Sequence, residues 1–392
     1  MSKFNWLWVL AFICLSVSGC KNNTKNEEKE KVAEKITTDS SDLNTAFIGT
    51  YTKKEGHVDG KADGIVTIQQ NPKTGEITMG TTVAEVTNPS FVKLSEDNKY
   101  LYAVSELGEN EAKSGFVYSY KVINKDSIIE LNKVSTEGFA PCHIDIDKSG
   151  NYVFVSNYVG GVVMMYKIQK DGSLKEQQKI ATSNPKKSHT HSLSISGDNK
   201  HAYICDLGLD KIWIYDLDFE KGKLTQNKQK SVSLEDGAGP RHFTFSKEGK
   251  FAYSMNELNS TISTFKVEDN GGLTLINSVS SIPQDFKGEN SGADIHIGQS
   301  GEYLYGSNRG HNSIVIFKRD QESGKLTLVG FESTNGKTPR NFTITRNGKF
   351  LYAANQDSST MQAYKIDQQT GKLEKIGSKL DVPTPVSIEF MN

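Results

Sequence analysis

The chain has 392 residues and a formal net charge of −1, from 46 Lys and Arg against 47 Asp and Glu. A balance this close to zero excludes the broad basic footprint of a nucleic acid-binding protein. Hydrophobic residues make up 35%, enough for a folded core, and 18 Phe, 15 Tyr and 34 Gly against 9 Pro favour pleated, turn-punctuated structure.

Residues 1–19 read as a lipoprotein signal peptide. Lys3 supplies a positive start, and the apolar run from Trp6 to Val17 is too short to span a bilayer. It ends in Val17-Ser18-Gly19-Cys20, which resembles a bacterial lipobox and implies cleavage before Cys20 and lipid attachment there. An ordinary secretory signal containing a Cys is the alternative. Residues 20–43 carry the lipidated Cys and a polar stretch that cannot bury a core, so a solvated tether is expected. No other apolar run is long enough to cross a bilayer. The protein is therefore expected in the cell envelope, held on a bacterial membrane by lipid alone, on its periplasmic or outer face. Beyond Cys20 the mature chain keeps Cys142 and Cys205, which are expected to be packing residues in separate repeats rather than a disulfide.

Residues 44–392 carry one repeat. It consists of apolar alternation, a Gly- or Asn-centred turn with Lys, an aromatic pair and a polar residue, as from Phe243 to Glu257. The position of Phe251 is held in the other copies by Tyr100, Tyr152, His201, Tyr303 and Phe350, spaced 52, 49, 50, 52 and 47 residues apart. Each copy predicts two strands joined by a tight turn. A third strand such as Thr261–Phe265 and a fourth such as Gly272–Ile276 follow. Four antiparallel strands in a unit of this length make one propeller blade. Six copies are complete. The seventh is split: Ala46–Thr52 matches a second strand and Pro385–Phe390 a first strand. The expected fold is an all-β, seven-bladed β-propeller whose ring is closed by N- and C-terminal strands sharing one blade, which leaves no sheet edge open to a neighbour.

Scaffold positions repeat, so departures from the repeat mark candidate chemistry. Ten residues before each aromatic anchor stand Ser90, Cys142, His191, Arg241, Ala293 and Arg340, with Val386 in the split blade. Just after each second strand stand Tyr51, Glu106, Tyr158, Leu207, Glu257, Arg309 and Gln356. One hairpin reversal places both rings at the same end of the barrel. Consecutive blades then bring His191, Arg241, Glu257, Arg309, Arg340 and Gln356 to one mouth. Guanidinium forks match carboxylate or phosphate, so an anionic ligand is expected. The competing reading has Arg and Glu only pairing with each other to hold blades together.

Pro240-Arg-His-Phe, Asn256-Glu-Leu, Ala293-Asp-Ile-His, Ser307-Asn-Arg-Gly-His-Asn-Ser, Thr338-Pro-Arg-Asn-Phe and Ala354-Asn-Gln-Asp resemble the blade motifs of the seven-bladed propeller lactonases. Phe47-Ile-Gly-Thr-Tyr-Thr fits their opening strand, and the resemblance runs in order from about residue 45 to 392. This family includes a propeller-type 6-phosphogluconolactonase and a fungal carboxy-muconate cyclising enzyme. The resemblance implies a carboxylic ester hydrolase acting on a small lactone, and its His, Glu and two Arg fall on His191, Glu257, Arg241 and Arg309.

A water must be deprotonated beside the lactone carbonyl, and Glu257 or His191 suits a general base. Arg241 is expected to stabilise the oxyanion. Arg309, helped by Arg340, is expected to hold an anionic group, with Gln356, Asp294 and His311 as further substrate-binding candidates. No metal or other cofactor is expected: His189 and His191 share one side of a strand, but no carboxylate-rich motif accompanies them. His143, His242 and His296 are expected to be hydrogen-bonded scaffold, and no Gly-x-Ser-x-Gly nucleophile elbow occurs. A monomer is expected. The rival functions are a non-catalytic ligand- or protein-binding propeller, a muconate-type lactonising enzyme, and a metal-dependent gluconolactonase, although that last class resembles six-bladed propellers.

Overall fold

A computed structural model describes residues 43–56, 58–182 and 184–391. The signal peptide, Cys20 and the tether up to residue 42 lie outside the described residues. Seven four-stranded antiparallel sheets follow one another around a ring. Blade 1 runs from Val92 to Ser135, blade 2 from Phe139 to Ala181 and blade 3 from Thr190 to Ser233. Blade 4 runs from Pro240 to Ser280, blade 5 from Ser291 to Ser333 and blade 6 from Pro339 to Asp381. Blade 7 is the shared one: Pro385–Phe390 is innermost, followed by Asn44–Thr50, Ile65–Gln70 and Ile77–Ala84. Ala46 pairs with Phe390 and Ile48 with Ile388, so the two ends of the domain close the ring through a hydrogen-bonded ladder.

The core is divided. Seven apolar clusters each join two neighbouring blades. One packs Phe154, Met165 and Ile180 of blade 2 against Leu193, Ile204 and Leu224 of blade 3. No blade could bury its apolar faces alone, which is the reason for the repetition. Cys205 is buried in the cluster between blades 3 and 4, and both it and Cys142 are free thiols.

The aromatic pair of the repeat is what couples blades. Tyr253 of blade 4 donates its hydroxyl to the carbonyl of Gly324 in blade 5 at 2.8 Å. Tyr203, Tyr305 and Tyr352 reach Gly271, Gly371 and Gly75 of their next blades in the same way, at 2.7, 2.9 and 2.8 Å. The first aromatic of each pair covers the same glycine. A Cβ on Gly324 would stand 2.4 Å from Cδ1 of Phe251. Gly172 faces Tyr100, Gly222 faces Tyr152 and Gly371 faces Tyr303 with comparable closeness.

Gly324 also has φ +71°, a left-handed conformation that costs a residue with a Cβ. Gly324→Ala is therefore expected to destabilise the fold by about 2–4 kcal/mol, from backbone strain and overpacking together. Gly330, whose Cβ would meet nothing within 4 Å, is the control and is expected to tolerate Ala. Thermal denaturation of the two variants checks this, and equal melting temperatures would refute the coupling.

Candidate active site

The innermost strands converge on the axis, and a local irregularity aims their first residues. Opposite Asn157 and Ser156, Pro141 and His143 pair and Cys142 is left over. His191, Arg241, Arg340 and Val386 are the extra residues at the same place in blades 3, 4, 6 and 7. In blade 5 the shift falls between Gly292 and Ile295, around Ala293. A bulge bends the strand and re-aims the bulged side chain. Here it turns the ring residues toward the mouth and lets the next residue also face the axis, one layer deeper. The mouth opens into a cavity of about 560 Å³, lined by members of both predicted rings: Glu106, Cys142, Tyr158, His191, Glu257, Arg309, Arg340 and Gln356.

Glu257 is clamped. Its Oε2 lies 2.9 Å from Nε of Arg241 and 2.8 Å from Nη2 of Arg309. Burial alone would raise this carboxyl, but Arg309 and Arg241 pull it below the usual carboxylate range. Arg241 is only 2% exposed and does not line the cavity. Its Nη1 donates to the carbonyl of Ala293 at 2.8 Å and lies 3.1 Å from Nε2 of His242. Burial, with Arg309 and Arg340 nearby, brings it down to about 10, so it remains a cation near neutral pH. The Arg–Glu pairing of the competing reading is thus present, and it joins blades 4 and 5.

His191 is different. It is 3% exposed and lines the cavity, and its Nδ1 is buried without a hydrogen-bond partner. Its ring is held edge-on by Tyr158 and His242, at centroid distances of 5.8 and 5.3 Å. Burial, reinforced by Arg241, holds it well below the ordinary imidazole value, so it is neutral at physiological pH. His189 does not join it. That ring stacks on Tyr158 and bonds the Tyr158 carbonyl at 2.8 Å. Among the described residues no group of three or more His, Cys, Asp or Glu is arranged to hold a metal ion.

Arg340 forms no ion pair among the described residues; its guanidinium lies over the ring of Tyr51, 5.6 Å from the centroid. Tyr51 and the carboxylates Glu106 and Glu257 outweigh burial and raise it. Counting along the repeat reached Tyr51, Glu106, Tyr158 and Cys142 but assigned them no role. Cys142 is 6% exposed and its thiol is pushed up by burial, so it presents a neutral, compact wall.

The expected placement of Asp294 and His311 at this mouth is corrected. Asp294 follows the bulge and faces the next layer, lining a second cavity of about 400 Å³ formed by innermost strands of all seven blades. There it accepts from His242 Nδ1 at 2.7 Å and His296 Nε2 at 2.9 Å, and it bonds Asn341 of blade 6. His242 thus links Asp294 to Arg241. His296 and His242 hold Asp294 well below the usual carboxylate range against burial. His143 departs from the expected hydrogen-bonded scaffold, since its buried Nδ1 has no partner. His311 follows Gly310, whose φ of +124° turns the chain outward. Its ring bonds Ser313 at 2.6 Å and packs against Phe286 and Phe331.

Comparison with known proteins places this site in a family context. A family profile described as "Lactonase, 7-bladed beta-propeller" matches residues 45–390. A 6-phosphogluconolactonase of Bacillus subtilis is 32% identical over 355 residues, 88% of this chain and 98% of that protein. One from Formosa agariphila is 34% identical over 310 residues, 76% of this chain and 85% of that protein. The structure of a periplasmic gluconolactonase from Pseudomonas aeruginosa superposes with a TM-score of 0.83 at 29% identity, covering 89% of this chain and 99% of that one.

The buried imidazoles make a stability prediction. Burial lowers His242 to about 4, and His191 well below its ordinary value. In the unfolded chain both protonate near pH ~6.5. As pH falls below that value the unfolded state binds more protons, so folding stability drops by at most ~1.4 kcal/mol per pH unit for each imidazole. The His242 share levels off near 4. His296, raised by Asp294, keeps its proton in the folded state while the unfolded imidazole titrates near pH ~6.5, so it offsets part of the decline, and His143, lowered by burial like the others, adds to it. Melting temperatures between about pH 7 and about pH 5 are expected to fall, and His242→Gln is expected to flatten the decline. A flat wild-type profile would contradict neutral buried imidazoles.

Proposed function

The chain belongs to the seven-bladed β-propeller lactonase family, whose members open cyclic esters, and from that premise we propose that it hydrolyses a sugar lactone with His191 as general base. The observation that carries this assignment is the contrast between the two candidate bases. Glu257 is held by two guanidiniums, which favour its charged form and weaken it as a proton acceptor. His191 is neutral and lines the cavity, and no described residue hydrogen-bonds either of its ring nitrogens. A neutral imidazole is ready to take a proton from water.

In this scheme the water oxygen bonds the lactone carbonyl carbon while its proton passes to His191. The developing oxyanion is stabilised by Arg309, which is 14% exposed at the side chain and has Nη2 already fixed by Glu257 and by the Gly292 carbonyl at 3.0 Å. Collapse breaks the ring C–O bond, and the imidazolium returns its proton to the leaving alkoxide, giving a hydroxy acid. The scheme uses no metal. Arg241, first expected at the oxyanion, instead anchors Glu257 from behind. Arg340, outside any ion pair among the described residues and above Tyr51, is the handle for a phosphate or carboxylate.

The relatives are named for phosphorylated and for unphosphorylated gluconolactone. The export signal expected at residues 1–20, with lipid on Cys20, favours a lactone met outside the cytoplasm, as the periplasmic title of one relative also does.

His191→Ala is expected to lower kcat by about 10²–10⁴-fold with KM little changed, and added imidazole is expected to restore part of the rate. Full activity in this variant would remove His191 from the chemistry. Arg340→Ala is expected to raise KM for 6-phosphogluconolactone by about tenfold or more while leaving gluconolactone nearly unaffected. Equal losses on both substrates would remove Arg340 as the anion handle.

A further inference from the structure

The side of the cavity built by blades 7 and 1 carries a second carboxylate that the scheme above does not use. Glu106 is 8% exposed and lines the cavity. Its backbone is fixed to the loop before blade 1: its N–H donates to the Asn88 carbonyl at 3.0 Å, and Asn88 Nδ2 donates to its carbonyl at 3.3 Å. Its Oε2 accepts from the hydroxyl of Tyr51 at 2.9 Å and from Oγ of Ser90. Among the described residues Oε1 accepts no hydrogen bond and no Lys or Arg pairs with the group. The contrast with Glu257 is direct: one carboxylate is bracketed by two guanidiniums, and the other is held by neutral hydroxyls. Burial raises Tyr51 well above its ordinary value, so the phenol keeps its proton and stays a donor to Oε2.

A second acceptor stands in the same cavity. Gln356 is 3% exposed, its Nε2 donates to Asp357 at 2.8 Å, and its Oε1 is buried without a partner. Glu106 thus presents the cavity with acceptor lone pairs that no described residue fills, whereas Oε1 of Gln356 is enclosed. The carbonyl and ring oxygens of a lactone are acceptors too and cannot fill them. Only hydroxyl groups on the ligand can donate there.

We infer that Glu106 is a specificity-determining acceptor for the ring hydroxyls of the substrate, so that the cavity selects polyhydroxylated lactones over bare ones; the inference rests on the lactonase reading above. A hydroxyl donated to Glu106 makes a charge-assisted bond, which is stronger than a neutral one. A lactone without hydroxyls leaves a desolvated carboxylate unpaired, and sites built to bond a hydroxyl discriminate strongly against analogues lacking it.

The test compares D-glucono-δ-lactone with δ-valerolactone, which has the same ring and no hydroxyls, on the full-length protein. The wild type is expected to favour gluconolactone in kcat/KM. Glu106→Gln keeps an oxygen for Tyr51 and turns the free position into an amide donor. It is expected to raise KM for gluconolactone by about tenfold or more with kcat changed little, and to relieve the penalty on δ-valerolactone, so that the preference for gluconolactone narrows. Glu106→Asp withdraws the carboxylate by one methylene and is expected to give the same direction; it serves if the Gln variant does not fold. Wild-type turnover with an unchanged preference in both variants would overturn this inference alone. Absence of turnover of any lactone by the wild type, 6-phosphogluconolactone included, would overturn the hydrolytic reading beneath it.

Discussion

Neighbouring blades are held by an aromatic ring seated on a bare glycine backbone. Phe251 against Gly324 and Tyr303 against Gly371 show the contact, and the hydroxyls of Tyr253 and Tyr305 then tie down the same glycine carbonyls. The contact sits toward the outer turn of the next blade, far from the axis. It fixes how closely and at what angle adjacent sheets stack. The residues at the axial mouth come from different blades, so their relative positions are set by that stacking. The 2.8 Å contact between Glu257 of blade 4 and Arg309 of blade 5 depends on two sheets meeting at one defined spacing. The side chains that repeat thus position the side chains that do not.

This explains why the fold was so legible. The aromatic pair and the turn glycine are needed in blade after blade, so they recur at a readable period, and the split blade follows from counting to its end. The convergence of His191, Glu257, Arg309, Arg340 and Gln356 was legible for the same reason, since equivalent positions in a closed ring must face the same mouth. What counting could not reach was the bulge. Strict alternation would send the residue after Arg241 away from the axis, whereas the extra residue keeps both Arg241 and His242 inward. Asp294 was misplaced by that one-residue shift, and His311 by the turn at Gly310. The bulge lies in backbone pairing, which a count of alternating residues does not register.

The bulge also gives the axis depth. Its first layer carries the candidate chemistry, and its second carries His143, His242, Asp294 and Asn341. Asp294 receives donors from blades 4, 5 and 6, so its buried charge is satisfied from three directions. Through His242, neutral and bonded on both nitrogens, that charge supports Arg241, and Arg241 supports Glu257. A buried guanidinium left without such partners would be costly. The deeper layer is therefore the foundation on which the clamp of Glu257 rests.

Charge balance at the mouth bears on the kind of ligand it suits. Three arginines suggest an anion trap, but two of them are committed to Glu257. Glu106 and Asp357 also line the cavity. What remains among the described residues is one guanidinium outside any ion pair, Arg340, and the open acceptor oxygens of Glu106. A dicarboxylate of the muconate type would bring two charges to a site where, among the described residues, one guanidinium lies outside an ion pair, and no hydroxyls for the acceptors. A hydroxylated lactone meets the acceptors and asks for the cation only if it is phosphorylated. The arrangement thus fits the sugar lactone better than the muconate. Because the proposed hydroxyl contacts do not involve Arg340, the site suits gluconolactone with or without a phosphate.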